Sequence, residues 1–378
     1  MELIFGIILG LIVLIFLVVL HELGHALAAR RAGVVVEEFG IGFPPRAWGK
    51  KLKNGVLFSI NWLPLGGFVK LQGESDDAKK KGDYGRATFW QKTQILFAGV
   101  AVNLLVAVVI LTGLALVGMP KIVQNQFSIP SDTITNHSLV QVVSLEKDYP
   151  AAKAGLQKGD KIVSVDGTTI DTTDQLIATT KENRGETVSV VYQRDGAEKT
   201  VPVTLRDASS AVFGASLGQQ ETIRSTWSAP IVGVGTTIQF TVVSFQGLGQ
   251  LVSNFFGGLF LQLSPDQGTR EKGAEDIDQA SRSVAGPVGL LGTIFPAVGQ
   301  AGLTQILFLT AIISLSLAVM NILPIPSLDG GRWFVTALFR VMKKPLKKET
   351  EEKIHGTGFM ILMGLIILIT VADVTKLF

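Results

Sequence analysis

The sequence predicts a polytopic α-helical membrane protein with four transmembrane helices, an inserted extracytoplasmic α/β domain and a membrane-associated β-hairpin. Hydrophobic residues make up 47% of the 378 residues and charged residues only 17%, which is unusual for a soluble protein. Several apolar runs are long enough to cross a hydrocarbon core of ~30 Å, which takes about 20 residues. Lys and Arg are concentrated between these runs, in residues 30–86 and 340–353.

The first apolar run, residues 1–29, is predicted to be a transmembrane helix and not a cleaved signal peptide. No positive charge precedes it, whereas Arg30 and Arg31 follow it. By the positive-inside rule its N-terminus lies outside the cell. Further spans are predicted at residues 93–119, 303–324 and 357–374. Both basic stretches then lie in the cytoplasm, and the chain between the second and third spans lies outside.

Residues 30–92 form a loop between the first two spans. Within it, VLFSINWLPLGGFVKLQGE alternates apolar and polar residues on both sides of Pro64 and the glycine pair Gly66 and Gly67. This pattern predicts a β-hairpin. Its Leu, Phe and Trp content favours a hairpin that dips into the inner leaflet, with a soluble cytoplasmic hairpin as the alternative.

Residues 130–207 predict a small α/β domain, because short alternating strands are separated by turn dipeptides such as Asp166-Gly167 and Asp195-Gly196. The segment AAKAGLQKGDKIVSVDG resembles the core of a PDZ domain, a fold that binds peptides by adding a strand to its sheet edge. A generic β-rich spacer is the alternative.

Residues 225–265 contain no charged side chain. A single extra crossing here would place the basic run of residues 340–353 on the wrong side of the membrane. Gln239, Gln246 and Gln250 fall on one stripe of a helix. We therefore predict that residues 225–300 form an extracytoplasmic region with an amphipathic helix lying in the interface.

The end of the first span carries His21-Glu22-Leu23-Gly24-His25, the H-E-x-x-H pattern. Two histidines four residues apart lie ~40° apart around a helix, so both imidazoles can reach one Zn²⁺. Glu22 can then act as a base on a water at the metal. Ionisable groups at membrane depth are costly and are read by default as functional. The absence of cysteine excludes a thiolate site, so a metal would be held by His, Asp or Glu.

A hydrolytic zinc site needs a third protein ligand and an open position. The candidate lies in NILPIPSLDGGR, residues 321–332, where Pro324 and Pro326 end the third span and Asp329 follows in residues 325–332, an unwound loop. Because the first and third spans run in the same direction, Asp329 should lie at the depth of the two histidines.

Together these motifs resemble the site-2 proteases, which are membrane-embedded zinc metalloproteases, and specifically the bacterial branch with a PDZ domain between spans two and three. The resemblance covers nearly the whole chain. It rests on HELGH, GGFVKLQGE, FAGVAVN at residues 97–103, the PDZ domain, AGPVGLL at residues 285–291 and NILPIPSLDGG. Two departures are Val100 and Ser327, where the family commonly has proline and a larger or aliphatic residue.

The resemblance implies that His21, His25 and Asp329 bind Zn²⁺ and that Glu22 is catalytic. The candidate substrate-binding residues are Gly66, Gly67, Phe68 and Val69 of the hairpin, together with Asn103 and Asn321. Asn103 and Asn321 lie in motifs associated with the catalytic core, and interhelical hydrogen bonds are the alternative role for each.

The implied function is intramembrane cleavage of single-pass transmembrane substrates, such as anti-sigma factors or remnant signal peptides, as in regulated intramembrane proteolysis. The expected location is the bacterial inner membrane, with the active site toward the cytoplasm and the PDZ domain outside. Expected partners are the substrate helix, membrane lipid and a peptide C-terminus at the PDZ domain, and no nucleic acid. The alternatives are a non-catalytic PDZ scaffold with a structural metal and an ion transporter.

Overall fold

The computed structural model describes residues 2–208, 210–284 and 286–377. The chain divides into two compact units, Met1–Leu114 with Pro230–Phe378, and Ala115–Ala229. The helices are α1 (Glu2–Arg31), α2 (Phe89–Val117), α3 (Pro150–Lys153), α4 (Thr173–Glu182), α5 (Ala229–Gln262), α6 (Gln267–Arg282), α7 (Pro287–Gly289), α8 (Phe295–Ala301), α9 (Leu303–Ile322), α10 (Asp329–Val341) and α11 (Lys348–Leu377), with a π-helical turn at Leu290–Ile294.

Five helices in the described residues are long and apolar enough to cross a membrane: Glu2–Arg31, Phe89–Val117, Ala229–Gln262, Leu303–Ile322 and Lys348–Thr375. Four of them overlap the predicted spans. The fifth, α5, falls in the region predicted to be interfacial. It is 34 residues long, or roughly 50 Å at 1.5 Å per residue.

Helix α5 runs alongside α9 and does not lie across its end. The rings of Phe240 and Phe308 are 6.1 Å apart near the start of α9, and Leu251 shares a cleft with Met320 near its end. Because α5 follows the candidate span α9 along its length, the structure favours a fifth candidate span over the predicted interfacial helix.

The objection to a fifth span was that it would displace the basic run of residues 340–353. The structure removes this objection, because the chain returns before α9 through α6 and the apolar segment Pro287–Ala301. That segment is antiparallel to α1: Gln300 donates to Glu2, and a Cβ at Gly10 would lie 2.6 Å from Leu291. This returning segment includes the charged helix α6. It is therefore not a continuous apolar run, and the hydropathy of the sequence did not reveal it.

The first unit also contains the strands β1 (Val36–Lys51) and β2 (Leu57–Leu71). The two arms predicted to form a hairpin, residues 57–61 and 67–71, do not pair with each other. Ile41 pairs with both Ile60 and Gly67, so residues 36–41 lie between the two arms. Residues 46–51 pair on the far side of residues 57–61, and residues 67–71 are left at one edge of a four-stranded arrangement.

The second unit is built mainly of strands: β3 (Met119–Pro120), β4 (Ile134–His137), β5 (Val140–Leu145), β6 (Lys161–Val165), β7 (Thr168–Thr169), β8 (Thr187–Arg194), β9 (Ala197–Thr204), β10 (Ala215–Gly218) and β11 (Glu221–Arg224). One sheet has the order β10-β5-β6-β8-β9, with β7 paired to β6. Its core includes Val140, Ile162 and Val190. The unit is wider than the predicted domain of residues 130–207, because β10 completes the sheet.

Candidate metal centre

Three ligand atoms converge at one point in the first unit. His21 Nε2 lies 3.1 Å from His25 Nε2 and 3.1 Å from Asp329 Oδ2, and His25 Nε2 lies 3.3 Å from the same carboxylate oxygen. Nitrogen and oxygen ligands of a tetrahedral zinc are separated by about 3.3–3.5 Å, given metal–ligand distances near 2.0–2.2 Å. The donor set therefore fits Zn²⁺ in both chemistry and spacing.

Helix α1 presents both histidines on the side that packs against α2. His21 is 7% exposed and His25 is 8% exposed. The close approach of the two helices depends on Gly99 of α2, where a Cβ would lie 2.5 Å from His25 Nε2 and 2.6 Å from His21 Cε1. The absence of a side chain at residue 99 is what leaves room for the imidazoles.

Asp329 reaches the histidines because α9 ends at Ile322 and the chain turns back into α10. Leu323 is extended, with ψ of 147°, and Pro324 and Pro326 follow it. Asp329 is the first residue of α10. The turn is tight, since a Cβ at Gly331 would lie 1.9 Å from the carbonyl oxygen of Ile325.

The outer nitrogens of both histidines contact α2. His25 Nδ1 donates to the carbonyl oxygen of Ile95 at 2.7 Å. The side-chain amide of Asn103 lies 3.2 Å from His21 Nδ1. Such contacts orient an imidazole and select its tautomer. Asn103, predicted to bind substrate, therefore touches a candidate metal ligand.

The edge strand of residues 67–71 runs against α1 beside Glu22. The backbone N–H of Val69 lies near the Glu22 carboxylate, and a Cβ at Gly67 would lie 3.3 Å from Glu22 Cγ. Gly66, at φ +97°, instead packs against the ring of Phe43.

The remaining candidate substrate residues lie further from the ligands. The Phe68 ring covers Gly40. Asn321 lies in the last turn of α9, half-buried, and its side chain makes no hydrogen bond to another described residue.

The family model described as peptidase family M50 matches residues 9–365. The chain belongs to peptidase family M50. The predicted membership of the site-2 protease family is confirmed, and with it the predictions of a metalloprotease and of zinc as its cofactor.

Bacterial relatives align with this M50 peptidase over almost its whole length. The zinc metalloprotease RasP of Geobacillus kaustophilus is 26% identical, and the match covers 96% of each chain. A protein of Clostridium perfringens whose name places it provisionally among the zinc metalloproteases is 30% identical over 95% of each chain. Among solved structures, the PDZ domain of an SdrC-like protein from Listeria monocytogenes matches 21% of this chain and 85% of its own, with 26% identity and a TM-score of 0.19.

A cavity of about 810 Å³ lies beside Asp329 in the M50 peptidase. Arg332, one helical turn after Asp329, forms part of its wall. Its guanidinium donates to the carbonyl oxygen of Glu74 at 2.6 Å, lies 3.6 Å from Glu351 Oε1 and stacks 4.8 Å from the centre of the Tyr84 ring. Burial raises the pKa of the Tyr84 phenol, so the ring stays neutral under this cation.

The sequence interpretation missed this network and Gly99. Arg332 carried a usable signal, because it directly follows Asp-Gly-Gly and falls on the same helical face as Asp329. Tyr84 and Glu351 carried none, because their contacts join segments that are remote in sequence. Gly99 lies inside the FAGVAVN motif, but its contact with the histidines depends on how α1 and α2 pack.

Proposed function

We propose that this M50 peptidase is a zinc-dependent intramembrane endopeptidase that cleaves the transmembrane segments of single-pass substrates. The observation that carries the proposal is the meeting of His21, His25 and Asp329 within 3.3 Å of one another, with Glu22 beside them. The histidines lie in a helix apolar enough to span a membrane. Such polar groups would be costly at that depth without a partner.

When bound, zinc acidifies a water molecule and polarises the scissile carbonyl. His21, His25 and Asp329 would hold the metal and, as three protein ligands, would leave room for that water. Glu22 then takes the proton from the water and delivers it to the nitrogen of the leaving amine, as a general base and then a general acid. The strand of residues 67–71, with Gly67 packed against Glu22, keeps the carboxylate toward the site between these two transfers.

A transmembrane substrate hides its peptide bonds in its own helical hydrogen bonds, and each unpaired backbone group in lipid costs several kcal/mol. The edge strand of residues 67–71 offers replacement partners. It lies at the end of the sheet and faces Glu22, so an unwound substrate added along it would lie beside the catalytic carboxylate. Substrates with helix-breaking residues near the cut should therefore be preferred.

We propose that this sheet sits in the membrane on the cytoplasmic side, as does the metal centre. Its turn end exposes several large apolar side chains, namely Phe43, Trp48, Ile60, Trp62 and Leu63. An exposed apolar patch of this kind indicates contact with lipid. The basic runs of residues 30–86 and 340–353 support a cytoplasmic location for the same side, in a bacterial inner membrane.

We also propose that the unit of residues 115–229 acts as a PDZ domain outside the cell. Strand β10 is the last in its sheet and pairs on one side with β5. Its other side is free of strands in the described residues, so a peptide C-terminus can add there.

The test is mass spectrometry of a single-pass reporter helix incubated in liposomes with the wild-type protein and with Glu22→Gln. Both proteins should contain zinc, since Glu22 is not a ligand. A cut inside the apolar segment that only the wild type makes would support the proposal. Failure of the zinc-loaded wild type to cut any of several reporters with helix breakers would favour a PDZ scaffold.

A further inference from the structure

The Asn103 side chain is fully buried, with 0% of the residue exposed. The atom placed as Nδ2 lies 3.2 Å from His21 Nδ1. The atom placed as Oδ1 has no hydrogen-bond partner among the described residues. A buried amide normally satisfies more of its hydrogen-bonding capacity. His21 is therefore the one group that this side chain serves.

The tautomer of His21 decides which end of the amide faces it. His21 Nε2 points at His25 and Asp329, so in a metal site Nε2 carries the lone pair and Nδ1 carries the proton. A donor on Nδ1 needs an acceptor. Because the oxygen and nitrogen of an Asn amide are assigned from the hydrogen-bond network, the atom facing Nδ1 is the oxygen.

Both histidines are thus oriented by groups of α2, one by a backbone oxygen and the other by a side chain. His25 donates to the backbone oxygen of Ile95, which no substitution removes, whereas His21 depends on the side chain at residue 103. The backbone of Asn103 is in turn held by α9, because Ser314 Oγ donates to its carbonyl oxygen at 2.8 Å.

We infer that Asn103 is a positioning residue whose side-chain oxygen accepts the Nδ1–H of His21 and orients that imidazole toward zinc. The inference rests on the proposed metal site. It replaces direct substrate contact as the role of Asn103.

The test is the zinc affinity of the full-length apo-protein in detergent, measured by competition with a chromophoric chelator. Asn103→Leu keeps the volume and removes the acceptor, and loss of such a partner weakens metal binding by about 10- to 100-fold. Asn103→Asp keeps an oxygen and removes the N–H donors, so its affinity should stay within about threefold of the wild type. Ser316→Ala is the control, because the Ser316 hydroxyl donates only to Ile312 of its own helix, and this variant should bind zinc as the wild type does.

Equal losses in the Leu and Asp variants, or no loss in either, would overturn the inference. If the Leu variant fails to fold, the Asp variant still tests the inference. A folded Asp variant that loses zinc affinity would contradict the role of the Asn103 oxygen. The assay does not need protease activity. A wild type that binds zinc and cleaves nothing would therefore defeat the proposed function and leave this inference standing.

A second, independent observation concerns the outer face of α10, the helix that begins at Asp329. Phe334, Leu338, Val341 and Met342 are all exposed, with Val341 at 79%. They follow the i, i+4, i+7, i+8 spacing of one helical face. The opposite face is buried, so α10 presents an apolar stripe outward.

A cluster of lysines extends the end of this stripe. Lys343, Lys344 and Lys347 are exposed, and none forms an ion pair with another residue of the described chain. An apolar stripe bordered by free lysines is the pattern of a helix that lies on an anionic lipid surface.

We propose that anionic phospholipid headgroups of the host leaflet bind this surface, defined by residues 334, 338, 341–344 and 347. Since α10 is a continuous helix from Asp329 to Val341, lipid held at one end restrains the candidate metal ligand at the other. Anionic lipid is then an activator of the proposed protease.

The test measures reporter cleavage in proteoliposomes of phosphatidylcholine with and without phosphatidylglycerol. It compares the wild type with the triple variant Lys343→Gln/Lys344→Gln/Lys347→Gln. The control removes the same charge from another exposed loop, residues 79–81, also by glutamine substitution. Phosphatidylglycerol should raise wild-type cleavage by about threefold or more. The triple variant should lose this gain and retain less phosphatidylglycerol in native mass spectrometry, whereas the control should keep both.

Equal phosphatidylglycerol dependence in the triple variant and the wild type would overturn the proposal, as would an equal loss in the control. Stimulation of phosphatidylcholine proteoliposomes by inorganic phosphate would assign the surface to a soluble anion. Lipid retention is measured without substrate, so it separates this proposal from the proposed function.

Discussion

Replacing Gly99 with alanine should expel zinc from the site without unfolding α2. The new Cβ would lie 2.5 Å from His25 Nε2 and 2.6 Å from His21 Cε1, against an ordinary contact distance of at least 3.4 Å, so an imidazole must recede by about 0.9 Å. A metal site tolerates errors of about 0.2 Å in its ligand distances. We therefore expect zinc affinity to fall about 100-fold or more, equivalent to about 2.7 kcal/mol.

The assay is zinc content and chelator competition on the purified protein, with thermal unfolding of the apo-protein as a check on folding. Gly113→Ala is the matched control, because it lies in the same helix and no atom would come within 4 Å of its Cβ. That variant should bind zinc normally, since alanine favours a helix over glycine by about 1 kcal/mol. If Gly99→Ala binds zinc as tightly as Gly113→Ala, the packing argument for the site is refuted.

Three further predictions concern the edge strand, the β-sheet unit and the return leg. Gly67→Val, which crowds Glu22, should lower reporter cleavage by about tenfold or more with unchanged zinc content, and unchanged turnover would contradict the strand role. Burial raises the pKa of Asp160, but the hydrogen bonds from Arg194 and from the backbone of Gln157, together with the positive charges of Arg194 and Lys199, outweigh it in sum, so that the net shift is downward. The resulting stability is present above the ordinary Asp pKa and is lost as pH falls through the depressed value. Asp160→Asn should therefore destabilise its unit by about 3 kcal/mol at pH 7 in calorimetry, with the difference from wild type shrinking below about pH 4. Asp373→Ala should lower the melting temperature because the Gly289 N–H loses its acceptor, whereas Asp373→Asn should recover most of it.

The order of the strands in the sheet of the first unit could not be predicted from the sequence. Alternation in residues 56–72 correctly indicated extended strands, but a period of two does not say which strand lies beside which. The intervening position is filled by residues 36–41, whose mixture of Glu, Phe and Gly carries no clear alternation. The edge strand beside Glu22 therefore depends on a partner that the hairpin prediction left out.

The sequence by itself determined the local chemistry: His21 and His25 on one helical face, Glu22 between them, and Asp329 after a proline-broken helix. These follow from backbone geometry over a few residues, which neighbouring side chains dictate. Only the tertiary structure decided that Asn103 holds His21, that Gly99 makes room for the imidazoles, and that the chain returns before α9. Those features join segments that are remote in sequence, such as Asn103 and His21, which are 82 residues apart, and such contacts are set by the packing of whole helices.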